Sequence, residues 1–464
     1  MRIVLMLVAA AVAVSAQSPD DREEFGKRLR GAERRTAELH VELALEARAM
    51  GLEAAAWHGF RRAAELDPKN ADAQQGLGRV LREKVWVQDP QGTVPRENVQ
   101  PPGHIQAALS RYRGKRRAIE HRIAANWEGL ADWAEEAGLR GETGFAFRVL
   151  LREFPGHSRA LSKLGYESVD GVRISPEDAA RRAEMRRRVL ESDGGERVSE
   201  ESETERQTGL KLLRRRADGV SFEGQFTDGE MRALVRLAGR TREEFTLVFG
   251  LTRENPVTPI HGVFLRVAAD RKIWLDQASG MSSLEREILG NAPLIELFEP
   301  DRFVATRGAR PFDAARDAAV TMAARYAFRG LMRLEELPPW LAVGVPLWFT
   351  DRLLGSCYHI VPDGIDAPAS TLAWRAELRR SAWEGIDPAI RDITRAGPGE
   401  LDAAMAVKAW SLVDWLLTSR RDRLHDFLTR CRSGSSGKAL RRSLGAESYE
   451  ALELAWEEWL DETR

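Results

Sequence analysis

An internal repeat with a period of 87 residues constrains this chain more than any other sequence feature. When residues 44–78 are aligned without a gap on residues 131–165, ten positions are identical. The identical pairs are Ala44/Ala131, Ala47/Ala134, Gly51/Gly138, Leu52/Leu139, Phe60/Phe147, Arg61/Arg148, Pro68/Pro155, Ala73/Ala160, Leu77/Leu164 and Gly78/Gly165. Repeated units bury their apolar faces against one another. The sequence therefore predicts two copies of one helical unit, near residues 36–87 and 123–174, within a helical module over residues 17–175.

Each copy is predicted to contain three helices followed by a short extended piece. In the first copy, Leu43, Ala47 and Met50 have the spacing of one apolar helix face. Gly51 suits the turn that ends this helix, because glycine adopts the left-handed backbone found there. Pro68 stops the second helix, since the residue before a proline is driven away from helical geometry.

The second helix of the first copy and its following turn resemble a tetratricopeptide repeat. The resemblance is carried by Ala56-Trp57-His58-Gly59-Phe60-Arg61-Arg62-Ala63-Ala64-Glu65-Leu66-Asp67-Pro68-Lys69-Asn70-Ala71. In this family, paired helices stack into a solenoid whose face binds a peptide or protein. The two copies depart from a regular array, because about 35 residues separate them. The resemblance implies peptide or protein partners; a helical layer that only packs against the rest of the chain is the alternative.

The first sixteen residues are predicted to be a secretory signal peptide. Met1-Arg2 supply a positive start, Ile3 to Val14 are apolar, and Val14-Ser15-Ala16 form a small-residue cleavage pattern. The apolar run is shorter than the roughly 20 residues that a spanning helix needs. We therefore expect an exported protein, periplasmic or secreted, with no membrane span after cleavage. A buried N-terminal helix or an uncleaved anchor is the alternative.

Composition excludes several other classes of protein. The 70 basic and 71 acidic residues nearly cancel, so no overall field favours nucleic acid as a partner. The basic segment at residues 111–117 is accordingly predicted to be a solvated helix face. Only Cys357 and Cys431 are present, which excludes a zinc site of four thiolates. The sequence leaves open whether these two cysteines pair or remain core thiols.

The rest of the chain is predicted to be a linker and a second domain. Residues 176–209 are dense in charge and poor in large apolar side chains, which favours a charged linker that is partly helical. Residues 220–226 and 262–267 read as strands, and helices dominate from Ala314 onward. Residues 210–464 are therefore predicted to be α+β, and the whole chain to be mostly α.

A segment in this second domain resembles the peptidase MA-like branch of the gluzincin zinc metallopeptidases. It reads Leu337-Pro338-Pro339-Trp340-Leu341-Ala342-Val343-Gly344 and follows a long predicted helix. In that family a His-Glu-x-x-His helix precedes a Leu-Pro-x-Trp-Leu-x-Glu-Gly segment, whose Glu is the third zinc ligand. The resemblance spans most of residues 210–464 and implies a small sheet with a helical C-terminus.

The positions that would carry this family's zinc site hold no ligand in this sequence. They are Val320, Thr321, Met322, Ala323, Ala324, Arg325 and Val343. A zincin needs two imidazoles one helical turn apart, and none of the eight histidines is so spaced. We predict a pseudo-peptidase without catalytic residues, metal or cofactor. Its former site should be filled by core, because buried polar groups without partners cost stability.

The leading functional expectation is an exported, non-catalytic protein that binds peptides or proteins or acts as a scaffold. If a cleft persists in the second domain, Trp340, Gly344 and Trp348 are predicted to lie in it. The alternative is a hydrolase with an unrecognised site, for example a metal held by His261, His359 and nearby acids. A nucleophile and base formed by Cys357 and His359, or a purely structural envelope component, are the remaining alternatives.

Overall fold

The computed structural model describes residues 19–89, 98, 102–169, 172–251, 258–277, 280–290, 292–298, 301–334, 336–358 and 369–462. The predicted signal peptide lies outside these residues. The chain divides into two compact units, the first made of residues 1–166 with 383–385, and the second of residues 167–382 with 386–464. None of the described helices is long and apolar enough to cross a membrane.

The first unit is helical. Its described elements are α1 (Pro19–Ala49), α2 (Glu53–Leu66), α3 (Ala71–Gly76), β1 (Arg79–Arg82), β2 (Val85–Gln88), α4 (Pro102–Glu136), α5 (Arg140–Glu153) and α6 (Ser158–Lys163). The hairpin β1–β2 is antiparallel.

The two sequence copies fold into the same local structure. The bounds of α2 and α3 recur 87 residues later as the bounds of α5 and α6. Gly51 and Gly138 both have φ of 73°, and Gly78 and Gly165 both have φ of 72°. Because glycine adopts this left-handed backbone without steric cost, identical glycines produce identical turns.

The long helices α1 and α4, which begin the two copies, pack antiparallel. Phe25 stacks on Trp133 with ring centroids 6.4 Å apart, and Glu42 pairs with Arg122, so residue numbers fall along α4 as they rise along α1. Equivalent helices that run antiparallel are related by an approximate twofold rotation. The units of a solenoid instead stack in one direction with a small rotation between neighbours. The helices that begin the two copies are therefore related differently from those of neighbouring solenoid units.

The second unit contains a mixed sheet and most of the remaining helices. Its elements are β3 (Glu167–Val169), β4 (Val172–Ile174), α7 (Pro176–Glu191), β5 (Glu196–Val198), α8 (Glu203–Thr208), β6 (Leu213–Ala217), β7 (Val220–Gly224), α9 (Asp228–Phe249), β8 (Ile260–Leu265), α10 (Ala268–Gln277), α11 (Ser283–Leu289), β9 (Leu294–Phe298), β10 (Asp301–Thr306), α12 (Phe312–Met332), α13 (Pro339–Leu353), β11 (Ser356–Cys357), β12 (Ala369–Ser370), α14 (Trp374–Glu384), α15 (Ile390–Ile393), α16 (Ala403–Thr418), α17 (Arg421–Arg432), α18 (Ser436–Ser443) and α19 (Tyr449–Glu462). The last two residues of α14 belong to the first unit.

Six strands form the sheet, in the order β5-β6-β7-β8-β10-β9. Strands β7, β8 and β10 are parallel, while β5, β6 and β9 pair antiparallel to their neighbours. The strands expected at residues 220–226 and 262–267 are β7 and β8, with slightly different bounds. The coarse expectation of an α+β chain with an excess of helix is confirmed.

Residues 176–209, predicted to be a linker, are instead part of the second unit. Met185 of α7 is buried in the main core, and β5 extends the sheet by pairing with β6. Arg182 donates to the side chain of Asp351 at 3.2 Å, which ties α7 to α13. The linker prediction is wrong because one buried side chain and ion pairs to neighbouring helices order a segment whose average composition is polar.

Candidate functional site

The α12 positions that the resemblance aligns with a zinc motif are packed core. Val320 and Ala324 belong to the cluster that α12 forms with α13 and α16, whereas Met322 and Ala323 face the sheet. Thr321 is also buried. The helix is apolar on both sides because it lies between the sheet and α13. These positions leave no room for an ion, a water molecule and a substrate.

Arg325 is the one charged member of this motif, and it has a protein partner. Its Nε lies 2.9 Å from Oε2 of Glu296 on β9, and Arg329, one turn later, reaches the same carboxylate at 3.3 Å. Val343 on α13 is half-buried against the core. The motif therefore serves packing between α12, α13 and the edge of the sheet.

The residues predicted to lie in a cleft mark a helix contact instead. Trp340 is buried and donates from Nε1 to Oγ of Ser436 at 2.9 Å, and Trp348 donates to Oδ1 of Asp414 at 2.9 Å. A Cβ on Gly344 would come within 2.7 Å of the carbonyl oxygen of Ala409. Because α13 and α16 touch at this glycine, the space is filled and no cleft is present there.

The other sequence candidates lie only in part within the described residues. His261 is exposed on β8, and His359 lies outside the described residues. Cys357 and Cys431 are both buried, and they form no disulfide bond with each other. Within the described part of the chain, no three His, Cys, Asp or Glu side chains are grouped so that they could hold a metal ion.

The first unit contains a buried ion network that sequence reasoning missed. Glu153 of α5 is buried and lies 2.8 Å from Nε2 of His40 on α1. Nε of Arg62 on α2 donates to the other carboxylate oxygen at 2.9 Å. Burial alone would raise the pKa of Glu153, but the charge of Arg62 and the hydrogen bonds hold that pKa far below its usual range. This carboxylate is therefore ionised across the physiological pH range.

The network borders a small cavity of about 20 Å³. Tyr112 and Arg116 line it, so part of the basic segment 111–117 faces the interior, although the sequence predicted a solvated face. Burial raises the pKa of Tyr112 to about 12, which keeps its hydroxyl protonated. The volume is that of about one water molecule. The network therefore stabilises the packing of this unit, and the cavity beside it has no room for a substrate.

Nothing in the local sequence could have revealed this network, because its members are far apart along the chain. His40 and Arg62 lie 113 and 91 residues from Glu153. The repeat also does not duplicate them, since Trp127 and Val149 occupy the positions 87 residues after His40 and Arg62.

An open groove of about 480 Å³ lies between α1 and α4. It is lined by Lys27, Arg28, Gly31, Arg35, Ala125, Asn126, Gly129 and Leu130. Three of these side chains are cationic and none is acidic. Its volume falls within the range typical of ligand sites, about 300–1,000 Å³. Sequence reasoning missed it because the α1 residues that line it precede the aligned part of the repeat.

The comparisons with known proteins place the chain in no family: no protein-family model and no curated protein matches it significantly.

Proposed function

We propose that this chain is an exported, non-catalytic protein that binds peptides or proteins through its first unit, and that its second unit is a pseudo-peptidase. The observation that carries the proposal is the packing of α12 against α13. The positions at which the resembled peptidases hold their metal are filled here by buried apolar side chains.

The indole donors in this region support the same proposal. The N–H groups of Trp340 and Trp348 are both used by neighbouring side chains, and a catalytic cleft would need polar groups directed at substrate. The open groove of the first unit, by contrast, presents charged side chains to solvent. Binding there requires no rearrangement of the core.

The first test is the metal content and proteolytic activity of the purified chain. We expect less than about 0.1 zinc per chain by elemental analysis, because a zinc site requires three protein ligands. We also expect no chelator-sensitive cleavage of casein, with a zinc peptidase as positive control. Stoichiometric zinc together with chelator-sensitive cleavage would overturn the pseudo-peptidase proposal.

The binding proposal is tested separately with immobilised unstructured peptides of acidic, neutral and basic composition. Saturable binding of at least one class is expected. If none of the three classes binds, the binding function is wrong.

Export is tested by mass spectrometry of the protein made in a secretion-competent host, where the mature chain is expected to begin at Gln17. An intact residue 1 on the secreted or periplasmic protein would contradict the predicted cleavage.

A further inference from the structure

We infer that the groove between α1 and α4 binds an acidic peptide segment, whose carboxylates pair with Arg28 and Arg35. This inference rests on the proposed binding function and adds the chemistry of the ligand. The argument compares the groove with its counterpart across the approximate twofold axis of the first unit.

The counterpart of the groove is closed by two ion pairs between the same two helices. Nη1 of Arg122 on α4 donates to both carboxylate oxygens of Glu42 on α1, at 2.8 and 2.9 Å. One turn further along α1, Glu46 accepts from Nζ of Lys115 at 3.1 Å. The carboxylates are thus supplied by α1 and the cations by α4.

The first of these pairs is broken at the groove. Arg35 occupies the position equivalent to Arg122, and Gly129 the position equivalent to Glu42, because equivalent residues differ by 87 in number. The cation is kept and the carboxylate is lost. Arg35 is exposed and forms no hydrogen bond or ion pair with any residue that the structure describes. A Cβ built on Gly129 meets nothing within 4 Å, so the place of the missing carboxylate is open.

The second pair is changed in the same way. Lys115 corresponds to Arg28, and Glu46 corresponds to Trp133. The guanidinium of Arg28 lies over the Trp133 ring, 4.7 Å from its centroid, and its Nε donates to Glu24 at 2.9 Å. The two Nη groups donate to no side chain or carbonyl in the described ranges. A flat guanidinium resting on an aromatic ring keeps these donors directed outward and suited to a carboxylate.

Other side chains add to the positive character of the groove. Lys27 lies at its edge, where it also pairs with Glu23 at 2.8 Å, and Asn126 contributes a polar side chain from α4. The nearby acids Glu23 and Glu24 are thus occupied by cations of their own helix. No carboxylate lines the groove itself, so an anionic ligand meets no opposing charge there.

The spacing of the two arginines defines the ligand. Arg28 and Arg35 are seven residues apart on one helix, which corresponds to about 10 Å at a rise of about 1.5 Å per residue. A peptide in the polyproline II conformation has three residues per turn and rises about 3.1 Å per residue, so its positions i and i+3 lie on one face about 9 Å apart. Carboxylates at positions i and i+3 of a peptide in this conformation therefore match the two guanidinium groups.

The test uses the full chain and labelled twelve-residue Gly/Ser peptides that carry Glu at positions i and i+3. Control peptides carry Gln or Lys at the same positions. Fluorescence anisotropy should show that the Glu peptide binds at least 10-fold more tightly than either control. Its affinity should fall at least 5-fold when salt is raised from 0.05 to about 0.5 M, because exposed ion pairs are screened.

The decisive variant is Gly129→Glu, which restores the carboxylate that the twofold axis predicts. It should pair with Arg35 and weaken binding of the Glu peptide at least 10-fold. Gly114→Glu is the matched control: it introduces the same charge on the same helix, also at a glycine with nothing within 4 Å of its Cβ, and should leave affinity unchanged. Arg35→Glu should also weaken binding at least 10-fold, whereas Arg34→Glu, with the same charge change on α1 but outside the groove, should not.

Two results would overturn the inference while leaving the binding function intact. One is equal binding of the Glu and Gln peptides. The other is an equal effect of Gly129→Glu and Gly114→Glu. If no peptide of any charge class binds the chain, the proposed binding function fails together with this inference.

Discussion

Glu153 shows at the scale of a single residue how strongly a buried charge depends on its neighbours. Its side chain is 1% exposed, and His40 and Arg62 supply its hydrogen bonds. Removing water from a carboxylate costs several kcal/mol, and only good partners offset that cost. The stability of the first unit therefore depends on this side chain being both present and ionised.

We expect Glu153→Gln to lower the free energy of unfolding by about 3 kcal/mol, because the buried charge of Arg62 loses its partner. The measurement is urea denaturation followed by circular dichroism. Glu65→Gln is the control, since Glu65 also pairs with Arg62 but its side chain is 42% exposed. The control should change stability by less than about 1 kcal/mol. Equal effects of the two variants would contradict this account.

The stability difference between the parent chain and Glu153→Gln should also depend on pH. Since the pKa of Glu153 is lowered in the folded chain from its ordinary value of 4.5, the stability it contributes is present above that value. It is lost as the pH falls toward the folded pKa. The difference in unfolding free energy between the parent chain and Glu153→Gln should be constant from about pH 5.5 to 8 and shrink below about pH 4.5. A difference that grows on acidification would refute the assignment.

At the scale of elements, close helix packing occupies the positions that the resemblance aligns with a zinc motif. Helix α12 lies between the sheet and α13, and α13 touches α16 at Gly344. Small residues at such contacts allow backbones to approach, whereas any larger group must displace a helix. The second unit thus uses the positions of the degenerate motif for stability.

Gly344→Ala should destabilise the chain by about 1–3 kcal/mol, because the new Cβ meets the backbone of Ala409 on α16. Gly114→Ala provides the opposite case. Its Cβ has open space in α4, so the gain in helix propensity should stabilise the chain by about 0.5–1 kcal/mol. Denaturant midpoints measure both effects. Stabilisation by Gly344→Ala would show that α13 and α16 are not in close contact.

Helix α7 offers a second test at this scale, because its charged sequence predicted a linker. Met185 is 4% exposed in the core, whereas Leu190 on the same helix is 68% exposed. Met185→Ala should therefore cost about 2 kcal/mol or more, and Leu190→Ala less than about 0.5 kcal/mol. If both variants are neutral in denaturation experiments, α7 is a linker after all.

At the scale of the whole molecule, the reactivity of the two buried thiols measures how readily the second unit unfolds. Cys357 and Cys431 are buried and form no disulfide bond, and burial raises the pKa of Cys431 to about 11. Because the thiolate is the reactive form, both features suppress reaction with thiol reagents. The folded chain is therefore expected to be inert toward such reagents even in an oxidising compartment.

Titration with Ellman's reagent at pH 8 should find fewer than about 0.1 reactive thiols per folded chain, and two in denaturant without reductant. The rate of labelling in intermediate denaturant should follow unfolding measured by circular dichroism. Rapid labelling of the folded chain would contradict burial. Absence of thiols in denaturant would reveal a disulfide.

Local sequence signals predicted the parts of the fold that depend on neighbouring residues. The paired glycines of the repeat adopt the same left-handed turns in both copies, because such a turn is decided within a few residues. The strands at β7 and β8 were predicted by their alternation for the same reason. The linker prediction failed because the partners of α7, such as Asp351, come from distant segments.

Less of the candidate site than of the fold could be predicted from the sequence. The absence of zinc ligands could be read directly, since it needs only residue identities. The filled space around Gly344 and the open groove beside Arg35 could not, because both depend on which helices meet.

The sequence by itself determined many of the helices and their turns, because these follow from short-range backbone preferences. Only the tertiary structure decided that α1 and α4 run antiparallel, that Glu153 meets Arg62, and that Arg35 and Gly129 line one open groove. Such contacts join distant residues, for example Arg122 and Glu42, which are 80 positions apart, and Arg62 and Glu153, which are 91 positions apart. Their formation depends on the packing of whole elements, which no local pattern specifies.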